Sequence, residues 1–465
     1  MTRAREHLTP IFQQNEVLFG HDTTQGLLAF EIEGPDKVKI FRRQESTTVF
    51  DIVPLRPFML LSGADVLSGW KGDVELEKLE GHGAFDHLAL FSDLNQLEQA
   101  RAHLQKITGK TTSASPVPYW HFSDPLQQFL LLSGKTHFLG LVLGDLKRLQ
   151  LKLETYCQTG FEFPNAYRES DRIIAIALLD ATGWERLISG KEFDEAEMLQ
   201  ELMKEIEQRD PDVIEGHNLF RFDLEYIEAR AKRHKIKLKL GRNGSGLSSY
   251  ASRMQVAERT ITYRKYAIFG RHIIDTWMLG QLYDVATREL ASAGLQELAR
   301  HFGVAANNRT RIPESKTSWY FDHDADALFR HCLDEVSEIR AIAEILSPSY
   351  FVQAQIFPYT YQNIPLRGNA TKIDMLFLRE YLYQRHSVPR PNEGRDVAGG
   401  YTHMEHQGVA RPVLHCDVTS LYPSIMLAYD YLPKKDELNI FSGLLRDLRQ
   451  FRVKAKDLAG NAKDE

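Results

Sequence analysis

The sequence predicts a multidomain protein of mixed α/β and α+β architecture, and three observations carry that prediction. Its 465 residues suffice for two to four domains. Its composition, 43% hydrophobic and 26% charged, is that of chains that bury an ordinary globular core. Strand-like runs and amphipathic helices alternate through the middle of the chain, as in a sheet covered by helices. No apolar run approaches the roughly 20 residues that span a bilayer. The N-terminal "MTRAREHLTPIF" lacks the apolar stretch of a secretory signal. Cys157, Cys332 and Cys416 lie far apart without CxxC spacing and read as buried, reduced thiols of a cytoplasmic protein.

The elements follow in order. Residues 1–135 read as a β-rich N-terminal domain, with short strands at "GLLAFEIEG", "KVKIFRRQ" and "PFMLLSG" and one amphipathic helix, "LNQLEQARAHLQKI". The stretch "TTSASPVP" at 111–118 reads as a loop. Residues 136–347 form a second domain with a mixed sheet. "RLQLKLETY" alternates as a strand does, "RIIAIALLD" is a buried strand and "DVIEGHN" a third. "DEAEMLQELMKEIEQRD" is a helix with Asp194 as N-cap, and another runs through "FDLEYIEARAKRH". Residues 348–465 contain a helix, "KIDMLFLREYLYQRH", the loop "SVPRPNEGRDVAGG" and then "LHCDVTSLYPSI" at 414–425.

The net charge of −6 gives no sign of a nucleic-acid binder, but binding depends on where charge sits. Two segments are locally basic, "RAKRHKIKLKLGR" at 230–242 and "RDLRQFRVKAK" at 446–456. Taken alone, each reads more plainly as a solvated helix or strand face. "DHDAD" at 322–326 has calcium-loop spacing. It carries Ala327 where a Gly is needed and Leu333 where a Glu is needed, so it reads as a solvated loop capping the next helix.

In "RPVLHCDV" an apolar run reads as a strand with Asp417 near its C-terminal end. "SLYPSIMLAY" reads as a turn entering a helix, with Pro423 in the first turn, where its missing N–H costs nothing. Free backbone N–H groups at such a turn can cradle phosphates, and an adjacent acid can hold Mg²⁺. An Asp that merely ends a strand is the plainer reading.

The full string "DVTSLYPSI" resembles motif A of the family B DNA polymerases, D-x-x-S-L-Y-P-S-I. "AGGY" at 398–401 falls where that family has a Y-x-G-G element, with Val397 in place of the usual Tyr. The resemblance implies that Asp417 is a ligand of two catalytic Mg²⁺ ions and that the backbone at Ser420 and Leu421 holds the nucleotide triphosphate. It also implies that the Tyr422 ring excludes a 2′-hydroxyl. Two metals lower the pKa of the attacking 3′-hydroxyl and neutralise the departing pyrophosphate. The family's second carboxylate comes from a downstream D-T-D motif. Residues 426–465 contain neither that nor N-S-x-Y-G, so the chain is expected to carry the front of a polymerase.

Residues 136–345 resemble the 3′–5′ exonuclease of the same family, with an RNase H-like core of the DEDD type. "EGHNLFRFDLEYI" matches the second exonuclease motif through Asn218, Phe222, Asp223 and Tyr226. "KIKLKLGRNGS" and "GRHIIDTWML" follow the family's order. The first motif, D-x-E-T, reads "KLET": Lys152 replaces the Asp while Glu154 and Thr155 remain. Asp145, nine positions before Glu154, cannot substitute. The third motif, Y-x-x-x-D, reads "HCLDE", with His331 and Glu335. A lysine beside a divalent ion replaces an attraction with a repulsion, each worth roughly 4 kcal/mol at about 4 Å and an effective dielectric near 20. Lys152 is therefore expected to neutralise Glu154, Asp223 and Glu335 in place of the metals, leaving a retired exonuclease.

The resemblance implies a DNA-templated DNA polymerase that binds primer-template DNA and dNTP. A C-terminal polymerase portion, in the same gene or a separate chain, would carry the second catalytic Asp. Lys232, Arg233 and Lys235 would track phosphates. The aromatics within "RTITYRKYAIFGRH" would contact an unpaired strand or belong to a β-hairpin. The alternatives are an active 3′–5′ exonuclease and a non-catalytic DNA-binding subunit of a split polymerase.

Overall fold

The computed structural model describes residues 15–110, 117–305, 309, 311–390 and 399–461. They form two compact units. One holds residues 22–54 and 135–373, and the other holds the described parts of 1–21, 55–134 and 374–465.

The first unit opens with an antiparallel meander of β1 (Leu27–Ile32), β2 (Lys37–Gln44) and β3 (Thr47–Pro54). It is tied to later residues of its own unit. The Gly270 N–H donates to Glu31 Oε1 at 2.7 Å, and the His272 ring meets the Leu28 carbonyl at 2.9 Å. The second unit has a four-stranded sheet of β4 (Phe58–Leu61), β5 (Val74–Lys78), β6 (His87–Phe91) and β7 (Tyr119–His121), in the order β5-β6-β4-β7. Helix α1 (Leu94–Thr108) begins at Asp93, whose carboxylate accepts from the N–H groups of Asn95 and Gln96. It buries Leu97, Ala100 and Leu104 in one cluster with Met59, Leu61 and Phe91. Helix α2 (Pro125–Ser133) has Pro125 in its first turn. The loop expected at 111–118 falls largely on 111–116, outside the described residues.

The centre of the first unit is a five-stranded mixed sheet of β8 (Arg148–Thr155), β9 (Ile173–Asp180), β10 (Glu185–Ser189), β11 (Val213–Gly216) and, later in the chain, His272–Asp275. β9 runs antiparallel to β8 and β10, whereas β8 and β11 are parallel. Helix α3 (Glu195–Arg209) starts with a reciprocal capping box between Asp194 and Glu197. Helix α4 (Leu224–Arg233) follows a wide turn at Leu219–Asp223. Then come the hairpin β12 (Leu247–Val256) and β13 (Arg259–Ile268), and β14 (His272–Asp275). Helices α5 (Thr276–Thr287), α6 (Leu295–His301), α7 (Thr317–His323) and the 32-residue α8 (Ala325–Ile356) complete the unit. Asp324 caps α8 by accepting from the Ala327 N–H at 3.2 Å, so "DHDAD" is a helix cap, as its sequence suggests.

Alternation decides which face each strand residue serves. Leu149, Leu151 and Leu153 of β8 pack with Ile176 and Leu178 of β9 against Met198, Leu199, Leu202 and Ile227. On the other face of β9, Ala175, Ala177 and Leu179 meet Cys332 and Val336 of α8. Small alanines bring α8 close to the sheet, on the face where Gln150, Lys152 and Glu154 alternate with the leucines. Asp145 ends a short turn ahead of β8 and accepts from the Val142 N–H, so it is part of that turn.

The last elements of the second unit are α9 (Asn369–Tyr383), α10 (Leu421–Ala428) and α11 (Ile440–Asn461). The strand expected over "RPVLHCDV" is not formed. Residues 411–418 have no regular structure, and Val413, Leu414 and Val418 are 76%, 88% and 57% exposed. A strand needs a paired neighbour to satisfy its backbone and cover its apolar face, and among the described residues nothing pairs with this one. The expectation of three buried cysteines is corrected for the same reason: Cys332 is buried and Cys157 half-buried, but Cys416 is exposed. Val397 and Ala398 lie outside the described residues.

Candidate functional site

Three elements bring acids and cations together on the α8 face of the sheet. β8 supplies Lys152 and Glu154, and α8 supplies His331 and Glu335 one turn apart, with Glu338 beyond. The wide turn before α4 supplies Asp223, which is 2% exposed. Lys152 Nζ lies 3.0 Å from Glu335 Oε2 and 3.8 Å from Glu154 Oε1. The His331 ring is 3.5 Å from Glu335 Oε1. Asn218 holds a left-handed backbone at φ 69°, and its N–H donates to Asp275 Oδ1 at 2.8 Å.

The electrostatics follow from burial and from these cations. Burial opposes the Lys152 charge, but Glu335, Glu154 and Asp223 outweigh it and hold the ammonium well above its usual pKa. Burial raises Glu154 to about 7 despite Lys152. Burial likewise raises Asp223 to about 8. Burial also works against the Glu335 charge, yet Lys152, His331 and Arg309 together bring its pKa below the usual value. Asp275 is raised by burial to about 6, less than Asp223, because N–H groups of Asn218, Phe220 and Trp277 point at it.

Two charged groups escaped the sequence reading. Arg309 donates to Glu335 Oε1 and to Glu338 Oε2, both at 2.6 Å, and its side chain is 4% exposed. It lies 26 residues before Glu335 in no motif, so only the fold reveals the pairing. Asp275 was legible as the acid of "GRHIIDTWML", and it caps α5.

Among the described residues, Glu154, His331 and Glu335 offer ligand atoms within 4.8 Å of one another, as a metal site would. A pair of divalent ions nevertheless does not fit. Lys152 and Arg309 already hold the Glu335 oxygens, and an ion there would face two fixed positive charges.

The second candidate region is different. Asp417 is exposed, three residues before a turn at Ser420, whose φ is 54°. Leu421 and Tyr422 open α10 and are 42% and 75% exposed. Arg452 of α11 donates to Ser420 Oγ at 2.8 Å and Arg449 to Ser424 Oγ at 3.2 Å. A helix start and two guanidiniums beside its first turn suit an anion.

The basic segment 230–242 is structural at its two ends and exposed between them. Arg230, 2% exposed, pairs with Glu195, and Arg242 pairs with Asp210 and Asp212. Lys232 and Arg233 meet Glu228 and Glu169 at 2.9 and 3.0 Å, and Lys235 is exposed in a turn at φ 56°. Within "RTITYRKYAIFGRH", Tyr263 and Tyr266 are buried in the hairpin core and face no open strand path. Exposed aromatics occur instead at Phe161, Phe163 and Tyr167, which line a cleft of about 470 Å³ with Arg168, Arg221 and Phe222. The signal for it was three aromatics within a polar loop, "GFEFPNAY".

Residues 142–293 match the family described as DNA polymerase family B, exonuclease domain. A DNA polymerase of Archaeoglobus fulgidus is 24% identical over 292 residues, covering 62% of this chain and 34% of that protein. One from Thermococcus gorgonarius is 22% identical over 315 residues, covering 63% and 38%. The chain thus spans about a third of the length of the curated relatives it matches. The family B DNA polymerase from Pyrobaculum calidifontis superposes with a TM-score of 0.64 at 18% identity, over 87% of this chain and 56% of that one. The chain shares the α/β multidomain fold of these proteins and resembles their N-terminal portion.

Proposed function

We propose that this chain is the N-terminal portion of a family B, DNA-templated DNA polymerase with a retired proofreading domain. Its parts are an N-terminal domain at 1–135, an exonuclease-like domain at 136–347 and a partial palm at 348–465. The polymerase reading rests on "DVTSLYPSI" together with the match of residues 142–293 to the family B exonuclease domain. Mg²⁺ bound there would supply Lewis acidity to the 3′-hydroxyl of a primer and the triphosphate of a dNTP. The residues present fit part of such a site. Asp417 offers one carboxylate, the turn at Ser420 and Leu421 offers N–H groups to the triphosphate, and the Tyr422 ring blocks a 2′-hydroxyl. A second carboxylate has to come from a C-terminal polymerase portion.

One observation carries the retirement of the nuclease: the Lys152 ammonium sits 3.0 Å from Glu335 and 3.8 Å from Glu154, where a metal would need those oxygens. The cleft at Phe161 and Phe163 is suited to stacking bases of an unpaired strand, an interaction that needs no metal.

The test has two arms. Residues 1–465 should not extend a primer, and adding a chain with the second carboxylate motif should restore synthesis. Robust incorporation by 1–465 alone would sink the reading. Labelled single-stranded DNA with Mg²⁺ or Mn²⁺ should stay intact. Degradation from the 3′ end that vanishes in Asp223→Ala would show a live exonuclease. For residues 1–465 by themselves, the single carboxylate at Asp417 favours a second reading, a non-catalytic DNA-binding part of a split polymerase. Salt-sensitive binding without synthesis under any complementation would select it.

A further inference from the structure

We infer that the former nuclease centre is closed by two cations rather than one. Lys152 and Arg309 stand in for both metals, so that removing Lys152 alone does not reopen it. This rests on the retired-exonuclease reading above and adds the residue that the sequence motifs do not contain. Glu335 lies between the two cations, giving Oε2 to Lys152 at 3.0 Å and Oε1 to Arg309 at 2.6 Å. Each cation then reaches a further acid: Lys152 reaches Glu154 at 3.8 Å, and Arg309 reaches Glu338 at 2.6 Å. A carboxylate shared between two positive centres, each held by a second acid, is the arrangement that two metal ions would require. The charge balance agrees. Glu335 and Glu338, the two acids nearest the cations, are matched by the two positive charges.

The two cations differ in permanence. A lysine can in principle lose its proton, but a guanidinium stays charged throughout the accessible pH range. Arg309 also makes two separate charge-assisted hydrogen bonds at 4% exposure, so solvent does not compete for it. In a Lys152→Asp variant the rebuilt D-x-E pair would face a Glu335 still held by Arg309. Its third ligand would remain engaged.

The experiment compares Mn²⁺ binding, by the electron-spin signal of free Mn²⁺ and by the shift in melting temperature, across wild type, K152D, R309Q and K152D/R309Q. Wild type and R309Q should not bind, because Lys152 remains in both. The double variant should bind at least about tenfold more tightly than K152D, the scale on which a metal ligand's partners act. Its melting temperature should rise with Mn²⁺. K152D binding as tightly as the double variant would overturn the inference. Should the double variant not fold, K152D decides by itself: Mn²⁺ binding there that is lost on adding Asp223→Asn would overturn the inference, and no such binding would support it. K152D/R309K, which keeps the charge, should bind no better than K152D, and tight binding there would likewise overturn it. Mn²⁺ binding by wild type that disappears in Asp223→Asn would be a different failure, that of the retired-exonuclease reading itself.

Discussion

The exonuclease-like site and the motif A segment are opposites. At 417–425 the string is nearly complete, yet the backbone before it forms no strand and Asp417 and Tyr422 stand in solvent. At the other site the string is broken by Lys152, yet Glu154, His331 and Glu335 meet in a buried cluster, with Asp223 buried within reach of their charges. The difference lies in what surrounds each. β8 has a hydrogen-bonded neighbour on both sides and a helix over its face, whereas residues 411–418 have neither among the described residues. A motif states which groups a backbone would present, and burial by other segments decides whether it presents them.

Five experiments press on that contrast. The largest effect is expected at the open site. In a complemented polymerase, Asp417→Ala should lower synthesis by on the order of 10²–10³-fold or more, as removal of a transition-state interaction does. Steady-state primer extension checks this, and near-normal rates would mean that the motif is not the catalytic one. Next, the buried unit should be brittle where its ion pairs are. Arg230→Ala leaves buried Glu195 with the His234 ring and the Ile173 N–H but without its guanidinium, and should cost about 3–5 kcal/mol in urea unfolding.

The third is a pH dependence. Asp223, raised to about 8, binds its proton more tightly in the folded than in the unfolded chain. Its contribution to stability is therefore complete below its unfolded value of 3.8 and is lost as pH rises through about 8. Asp223→Asn should thus be stabilising at alkaline pH, by on the order of 1–3 kcal/mol, with the gain shrinking toward acid. Melting curves across pH would refute this if the gain were constant.

The fourth returns to the open site. Tyr422→Ala should raise ribonucleotide incorporation roughly tenfold, about 1.4 kcal/mol of discrimination. Its exposed ring means that stability should change by no more than about 0.5 kcal/mol. The smallest effect is expected from neutralising Lys232, Arg233 and Lys235 together. DNA affinity should fall alike for all sequences, with the salt slope reduced by about one for each phosphate no longer neutralised. Lys232 and Arg233 already have acidic neighbours, so an unchanged slope would assign the segment to structure alone.

The sequence was a good guide wherever a signal is local. Alternation in "RLQLKLET" placed Lys152 and Glu154 on one face, Asp194 marked the start of α3, and "DHDAD" capped the next helix. It failed where the outcome depends on distant partners. Arg309 finds Glu335 and Glu338 across folded elements, and no periodicity encodes that. For Tyr263 and Tyr266 the flanking basic residues left a strand contact and a β-hairpin both open, and the fold decides for the hairpin, which turns them inward. The apolar run before Asp417 has strand composition and lacks a pairing neighbour among the described residues.

β8 is the third of five strands, bonded to β9 and β11. Amides in such a position exchange with deuterium only when the whole unit opens, whereas those of 399–420 should exchange at the intrinsic rate. The strand that carries Lys152 therefore belongs to the slowest-exchanging core. Changing the one side chain at 152 leaves that core intact, while deleting the strand would remove the middle of the sheet. A centre so placed sits on a strand that the fold cannot spare.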